Sequence, residues 1–319
     1  MNGGDLMEKM KGIHHITAIV GDPQENMDFY AGVLGLRFVK KTINFDDPGT
    51  YHFYFGNEGA EPGTIMTFFP WANAYKGRVG SGQVGITTFL IPPNALSFWE
   101  ERLASFNIHT NKVIRFGETF LQFEDVHGLK LELVERENGK ENTWEFNGVT
   151  KDVAIKGFGG AVLYSGAPHK TAELLETVME LESLGQEGNY LRYQAAGDIG
   201  NIIDIELSAV GRGVMGVGTV HHIAWRASND EEHVKWQHKI HDHNYGVTEV
   251  KDRNYFNAIY FREHGGLLFE IATDPPGFMI DEQKDHLGEK LMLPKWQEPH
   301  RETIENHLQP IVVREVKGE

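Results

Sequence analysis

The chain has 319 residues, 40% of them hydrophobic and 24% charged, with a formal net charge of −16 and no cysteine. That length suggests about two domains, each able to bury its own core. The negative charge argues against nucleic acid and anionic membranes as partners, and the missing cysteine excludes disulfides, thiolate metal ligands and a cysteine nucleophile. No apolar run reaches the roughly 18 residues that a membrane span needs. The start Met1-Asn2-Gly3-Gly4-Asp5 lacks a basic patch followed by an apolar stretch, so no signal peptide is expected. A cytoplasmic protein is the default expectation. The 36 glycines imply many turns and therefore β-structure.

Residues 1–11 read as a polar, mobile lead-in. Ile13 to Val20 is rich in Ile, Thr and Val and predicts a strand. Asp22 and Pro23 then suit the N-cap and first position of a helix. Met27, Tyr30, Ala31 and Leu34 form its apolar stripe, and Gly35 stops it. Strands are expected at Leu36–Ile43, Tyr51–Gly56 and Thr64–Phe69. The order strand, helix, strand, strand, strand recurs. A second unit runs from Val84–Ile91 through a helix at Asn94–Phe106 to a strand ending at Leu133. The charged stretch Glu135–Asn142 reads as a linker. A third unit opens at Gly157, has its helix at His169–Leu181 and closes with Asn201–Leu207. The fourth opens at His221-His222, caps its helix near Asn229 and closes at Glu270. The last 45 or so residues carry Pro275, Pro276, Pro294, Pro299 and Pro310. They predict an extended arm with a short helix near Arg301–Leu308. The natural grouping is two domains of two units, 1–143 and 144–274, with 275–319 as an extension.

Three residues stand out. His15 and His222 are the second members of the doublets in Ile13-His14-His15-Ile16 and Val220-His221-His222-Ile223. Glu270 sits within the apolar run Leu267-Leu268-Phe269-Glu270-Ile271. Side chains alternate along a strand, so the members of each doublet face opposite sides. Taking His15 as inward puts Ile13 and Thr17 beside it, and Glu270 shares its face with Leu268 and Ala272. A buried carboxylate is costly unless it is paired or bound to a metal. Two imidazoles and a carboxylate suit a divalent first-row metal, in the facial triad of non-haem Fe(II) enzymes that use dioxygen. A single strand histidine is more often structural than a ligand, and Glu132 and Glu206 are near-equivalents of Glu270. The conjunction carries the reading. Unit two opens with Gly85-Ile86-Thr87 and unit three with Gly159-Gly160, so one site, shared by the first and fourth units, is expected.

At these residues the sequence resembles the vicinal oxygen chelate superfamily. Gly12-Ile13-His14-His15-Ile16-Thr17, Gly21-Asp22, Asp28-Phe29-Tyr30 and Leu34-Gly35-Leu36 are similar to the start of one of its modules. The resemblance spans nearly the whole chain. It implies an α+β fold of four βαβββ modules paired into two half-barrel domains. Within the superfamily the chain looks most like ring-cleaving dioxygenases of the hydroquinone type, which include chlorohydroquinone dioxygenases and quinone-inducible Bacillus dioxygenases. Arg37–Thr42, Pro62–Pro70, Asp252-Arg253-Asn254-Tyr255-Phe256, Tyr260-Phe261-Arg262 and Gly265–Glu270 carry that closer match.

The resemblance implies Fe(II) on His15, His222 and Glu270, with Mn(II) also suited to such a site. It further implies catalytic roles for Tyr260, Arg253, His14 and Thr17, with a small aromatic diol and O2 as partners. His221 is read as a neighbour that orients a ligand, or as simply buried. A homo-oligomer is left open. Catechol enzymes of the superfamily take both histidines from modules three and four, which Gly159-Gly160 closes to this chain. Two rivals share the fold. A glyoxalase-like isomerase or lyase typically uses a fourth ligand, the acid closing the first module, where Thr67 stands here. A non-enzymatic small-molecule binding protein often loses the ligands, and this chain keeps all three.

Overall fold

The computed structural model describes residues 9–319; of the lead-in expected at residues 1–11, residues 1–8 lie outside them. Met10, expected in that lead-in, is instead buried, and its carbonyl accepts a hydrogen bond from Ala196 N. Four modules follow in βαβββ order. The first comprises β1 (Ile13–Val20), α1 (Pro23–Met27), β2 (Arg37–Asn44), β3 (Asp47–Gly56) and β4 (Ile65–Pro70). The second comprises β5 (Gln83–Ile91), α2 (Leu96–Ser105), β6 (Asn111–Arg115), β7 (Glu118–Glu124) and β8 (Lys130–Glu135). The third comprises β9 (Gly157–Tyr164), α3 (Pro168–Glu173), β10 (Glu182–Glu187), β11 (Tyr190–Gln194) and β12 (Ile202–Glu206). The fourth comprises β13 (Thr219–Ala227), α4 (Asp230–Asp242), β14 (Lys251–Asp252), β15 (Phe256–Arg262) and β16 (Leu268–Pro276). A C-terminal arm ends in the short α5 (Arg301–His307).

Local chemistry sets the helix starts. The Asp22 side chain accepts from Gln24 N and Glu25 N with Pro23 in the first turn, and Asn229 accepts from Glu232 N. The helix expected through Leu34 is only partly α-helical. Asp28–Val33 is a π-helical stretch, as is Leu174–Val178 in the third module. The wider turn lets Phe29, Tyr30, Ala31 and Val33 all be buried, beyond what one α-helical stripe would cover.

The sheets pair modules that are not neighbours in sequence. One has the order β14-β15-β16-β13-β1-β4-β3-β2, the other β10-β11-β12-β9-β5-β8-β7-β6. Modules one and four therefore share one half-barrel, and modules two and three share the other. This differs from the expected grouping of one with two (1–143) and three with four (144–274). The opening strands cause the difference: β1 pairs antiparallel with β13, and β5 with β9. Nor is 135–142 a loose linker, because Asn142 is buried and its side chain binds Glu58 N and Ile155 O.

The larger core lies where the helices cover the sheets, with Met27, Tyr30, Phe53, Phe55 and Phe68 on the first module's side. Ile13 joins this core rather than the face of His15, because the β1–β13 register shifts between them. A second, smaller core fills the first half-barrel with Val39, Tyr54, Ala224, Phe256, Ala258 and Ala272. Phe278 and Leu287 of the C-terminal arm complete it. No helix among the described residues is long and apolar enough to cross a membrane.

Candidate metal centre

His15, His222 and Glu270 come together on three adjacent strands of the first half-barrel. β1 lies beside β13 and β13 beside β16, with Ala224 paired to Glu270. His15 Nε2 lies 3.3 Å from His222 Nε2 and 3.4 Å from Glu270 Oε2, and His222 Nε2 is 2.8 Å from the same oxygen. All three residues are buried. Although Oε2 is close to both imidazoles, neither oxygen of Glu270 receives a well-directed hydrogen bond. Burial opposes ionisation of Glu270, but His15 and His222 outweigh it and hold the carboxyl well below its ordinary range. Three lone-pair donors converging in a buried site, one an orphaned carboxylate, fit a divalent cation.

The first histidine of each doublet serves the second. His14 Nδ1 is 2.8 Å from His15 Nδ1, and His221 Nδ1 is 2.8 Å from His222 Nδ1. His14 also binds the backbone of Thr273. A neutral His14 that donates there must accept at Nδ1, so His15 donates from Nδ1 and keeps its Nε2 lone pair for the site. Burial pushes His14 and His222 down, and burial with the neighbouring His222 pushes His221 down to about 3. Those three rings are therefore neutral near pH 7, and a neutral imidazole is the form a metal requires.

Tyr260 and Arg253 border the triad. Tyr260 pairs with Glu270 across β15 and β16, and its ring lies 6.0 Å from that of His222. Arg253 Nε donates to the Tyr260 hydroxyl at 3.1 Å. Burial and Glu270 push the Tyr260 phenol up, against the opposing pull of Arg253, so it stays protonated. Arg253 also lies 3.6 Å from Asp46. Thr17 Oγ1 is 2.6 Å from Thr67 Oγ1. Thr17 pairs with Thr67 as Ala224 pairs with Glu270, so a hydroxyl stands where a second closing carboxylate would. All seven residues singled out in the sequence thus lie in one neighbourhood.

Sequence reasoning missed His52, Tyr54 and Phe256. His52 Nε2 lies 2.9 Å from Thr67 Oγ1, and its Nδ1 lies 3.0 Å from the Tyr54 hydroxyl. The Phe256 ring packs against His15 at 4.9 Å and His14 at 5.3 Å. The signal for the β3 pair was the alternation His52-Phe53-Tyr54-Phe55, polar rings on one face and phenylalanines on the other.

The second half-barrel carries no such triad among the described residues. Ile86 pairs with Val162 as His15 pairs with Ala224, so Ile86 and Gly160 occupy the histidine positions. A Cβ at Gly160 would meet the Ile202 carbonyl oxygen at 1.7 Å, so no histidine fits there. The carboxylates equivalent to Glu270 are Glu132, paired with Thr88, and Asp204, paired with Val162. Asp204, rather than the expected Glu206, is the third module's counterpart. Arg115 lies between them, forked onto Glu132 and 2.7 Å from Asp204.

Comparison with known proteins agrees with this architecture. The profile of the Glyoxalase/Bleomycin resistance protein/Dioxygenase superfamily matches residues 12–280. A Bacillus subtilis (strain 168) protein provisionally named ring-cleaving dioxygenase MhqO is 64% identical over 311 residues, covering 98% of this chain and 100% of that protein. The chlorohydroquinone/hydroquinone 1,2-dioxygenase of Sphingobium indicum is 33% identical over 319 residues, covering 97% and 99%. A crystal structure of a provisionally named dioxygenase from Bacillus subtilis subsp. subtilis str. 168 superposes with a TM-score of 0.96 at 65% identity, covering 97% of this chain and 100% of that one. Glyoxalase I from Zea mays, at 12% identity and a TM-score of 0.61, covers 82% and 92% and shares the fold.

Proposed function

This chain belongs to the Glyoxalase/Bleomycin resistance protein/Dioxygenase superfamily, and on that premise we propose that it is a ring-cleaving dioxygenase. Its substrate class is a hydroquinone-type aromatic diol, and its metal is Fe(II) on His15, His222 and Glu270. One observation carries the reading: three buried ligand atoms converge, and Thr67 stands at the strand position where a closed site would have its second carboxylate. A three-ligand site leaves positions for substrate and dioxygen, whereas a four-ligand site suits closed-shell isomerase chemistry. The names of relatives at 64% and 33% identity support the same activity.

Bound there, Fe(II) supplies the electron route between an electron-rich ring and O2, which the spin of O2 otherwise forbids. The protein supplies position and protons. Phe256 and Tyr54 give the half-barrel aromatic walls against which a substrate ring stacks. The Tyr260 hydroxyl already accepts from Arg253, so its own proton is free to donate to a substrate oxygen. Arg253 adds positive charge on that side and anchors the far hydroxyl of a para-diol. The His14 and His221 imidazoles keep the ligand rings in one tautomer and orientation. In the net reaction both atoms of O2 enter the opened ring, with no net gain or loss of protons.

Anaerobic loading with Fe(II), followed by oxygen-consumption assays on hydroquinone, methylhydroquinone and catechol, tests the reading. Oxygen uptake with the hydroquinones is expected. Uptake with catechol alone, or zinc-dependent turnover of glutathione adducts, would contradict it.

A further inference from the structure

We propose that His52 is a positioning residue which, through Thr67, turns the Thr17 hydroxyl into a hydrogen-bond donor aimed at the open corner of the triad. This rests on the dioxygenase reading of the site. The four groups form one chain: Tyr54 Oη to His52 Nδ1 at 3.0 Å, His52 Nε2 to Thr67 Oγ1 at 2.9 Å, and Thr67 Oγ1 to Thr17 Oγ1 at 2.6 Å. Every link can run in either direction, so an end must fix the polarity.

Tyr54 is that end. Its hydroxyl is buried among Phe278 and Tyr255, and His52 is its one hydrogen-bond partner among the described residues. A buried hydroxyl with a single neighbour is best satisfied by donating to it. His52 Nδ1 then accepts, the neutral ring carries its proton on Nε2, and Nε2–H donates to Thr67. Thr67 donates to Thr17, whose own proton has no other partner among the described residues and is left for the site. The ring is held in place between Tyr54 and Phe69, with centroids at 4.2 and 4.4 Å. Burial, more than any neighbouring group, pushes His52 down against the pull of Glu270. The ring is therefore neutral, as the polarity requires.

The chain passes through Thr67, which stands at the strand position of a fourth ligand in a closed site, and ends at Thr17 beside it. A fixed O–H dipole at that corner stabilises negative charge that develops on a substrate or dioxygen-derived oxygen, and it needs no reorganisation to do so. The outward face of β3, with Phe53 and Phe55, belongs to the core, so only the inward residues of this strand can be spent on the site.

The test uses three variants in the full-length protein. Thr67→Val breaks the chain at equal volume, Tyr54→Phe frees its polarity, and His52→Gln keeps one acceptor and one donor. Metal content should match the wild type in all three. In Thr67→Val and Tyr54→Phe, kcat with hydroquinone should fall about 100-fold with KM little changed, since the lost interaction forms with developing charge. His52→Gln should lose less activity than either. Independently of iron, 15N imidazole shifts of metal-free protein should show His52 as the Nε2–H tautomer, and Tyr54→Phe should shift it towards Nδ1–H. Wild-type kcat in Thr67→Val, or an Nδ1–H tautomer in the wild type, overturns the proposal. If the wild type neither binds iron nor consumes oxygen, the dioxygenase reading has failed instead, and the tautomer measurement still decides the polarity.

Discussion

Glu270 is a fully buried carboxylate whose two oxygens lack directed donors, and that sets what it does without a metal and with one. Without a metal its charge faces only the His15 and His222 imidazoles, and burial works against charging His222. A bound divalent ion relieves this, so metal should stabilise the fold by mass action, by about 2.7 kcal/mol at a hundredfold excess over Kd. Thermal melts with and without Fe(II) or Mn(II) should show the wild type shifting upward and Glu270→Gln barely moving. Tight stoichiometric metal binding by Glu270→Gln would sink the ligand assignment. At this scale the sequence was legible where the pattern was local. A doublet on a strand states which members face together, and a lone acid in an apolar run asks for a cation. The role of His52 was not legible: the alternation with Tyr54 puts both rings on one face, but its meaning comes from Thr67 on the next strand, which no spacing marks.

At the level of elements, the two half-barrels are variations on one plan with different cations at their centres. In the second, Arg115 takes the place a metal would hold, bound to Glu132 and Asp204, with Arg192 also on Asp204. These side chains are buried, so removing one partner leaves charge unpaired. Arg115→Met should lower stability by about 3–5 kcal/mol, read from urea unfolding. Metal content should be unchanged, and a loss under 1 kcal/mol would show that the network contributes little. The βαβββ order was legible in all four modules because strand alternation and helix caps are local signals. The partnership of the modules was not. Neighbours in sequence usually pair, yet the edge of β1 matches β13, some two hundred residues away. The π-helical widening was equally hidden, since Met27, Tyr30, Ala31 and Leu34 fit an ordinary helical stripe.

On the scale of the whole molecule, the C-terminal arm is part of the first half-barrel's interior. Lys40 is completely buried and lies 2.5 Å from both Asp281 and Glu282, while Phe278 stacks on Tyr255 and packs against Tyr54. Lys40→Met should loosen this latch. Even about 1.4 kcal/mol of local loosening raises cleavage of the arm roughly tenfold. Limited proteolysis with mapping of cuts between residues 277 and 291 checks this, and an unchanged cutting rate would show that apolar packing alone holds the arm. The sequence marked this stretch as an extended arm by its prolines, but not that its acids reach a lysine on β2. The nesting of one half-barrel inside the other along the chain has a consequence for biosynthesis. Modules two and three are complete once residue 206 has been made, so their sheet can close during translation. The first half-barrel cannot, because β1 needs β13, which in turn pairs with β16. At roughly 5–20 residues per second, β1 waits on the order of tens of seconds for its partners. The candidate metal centre is among the last features to assemble, and a chain halted before β13 holds one of its three ligands.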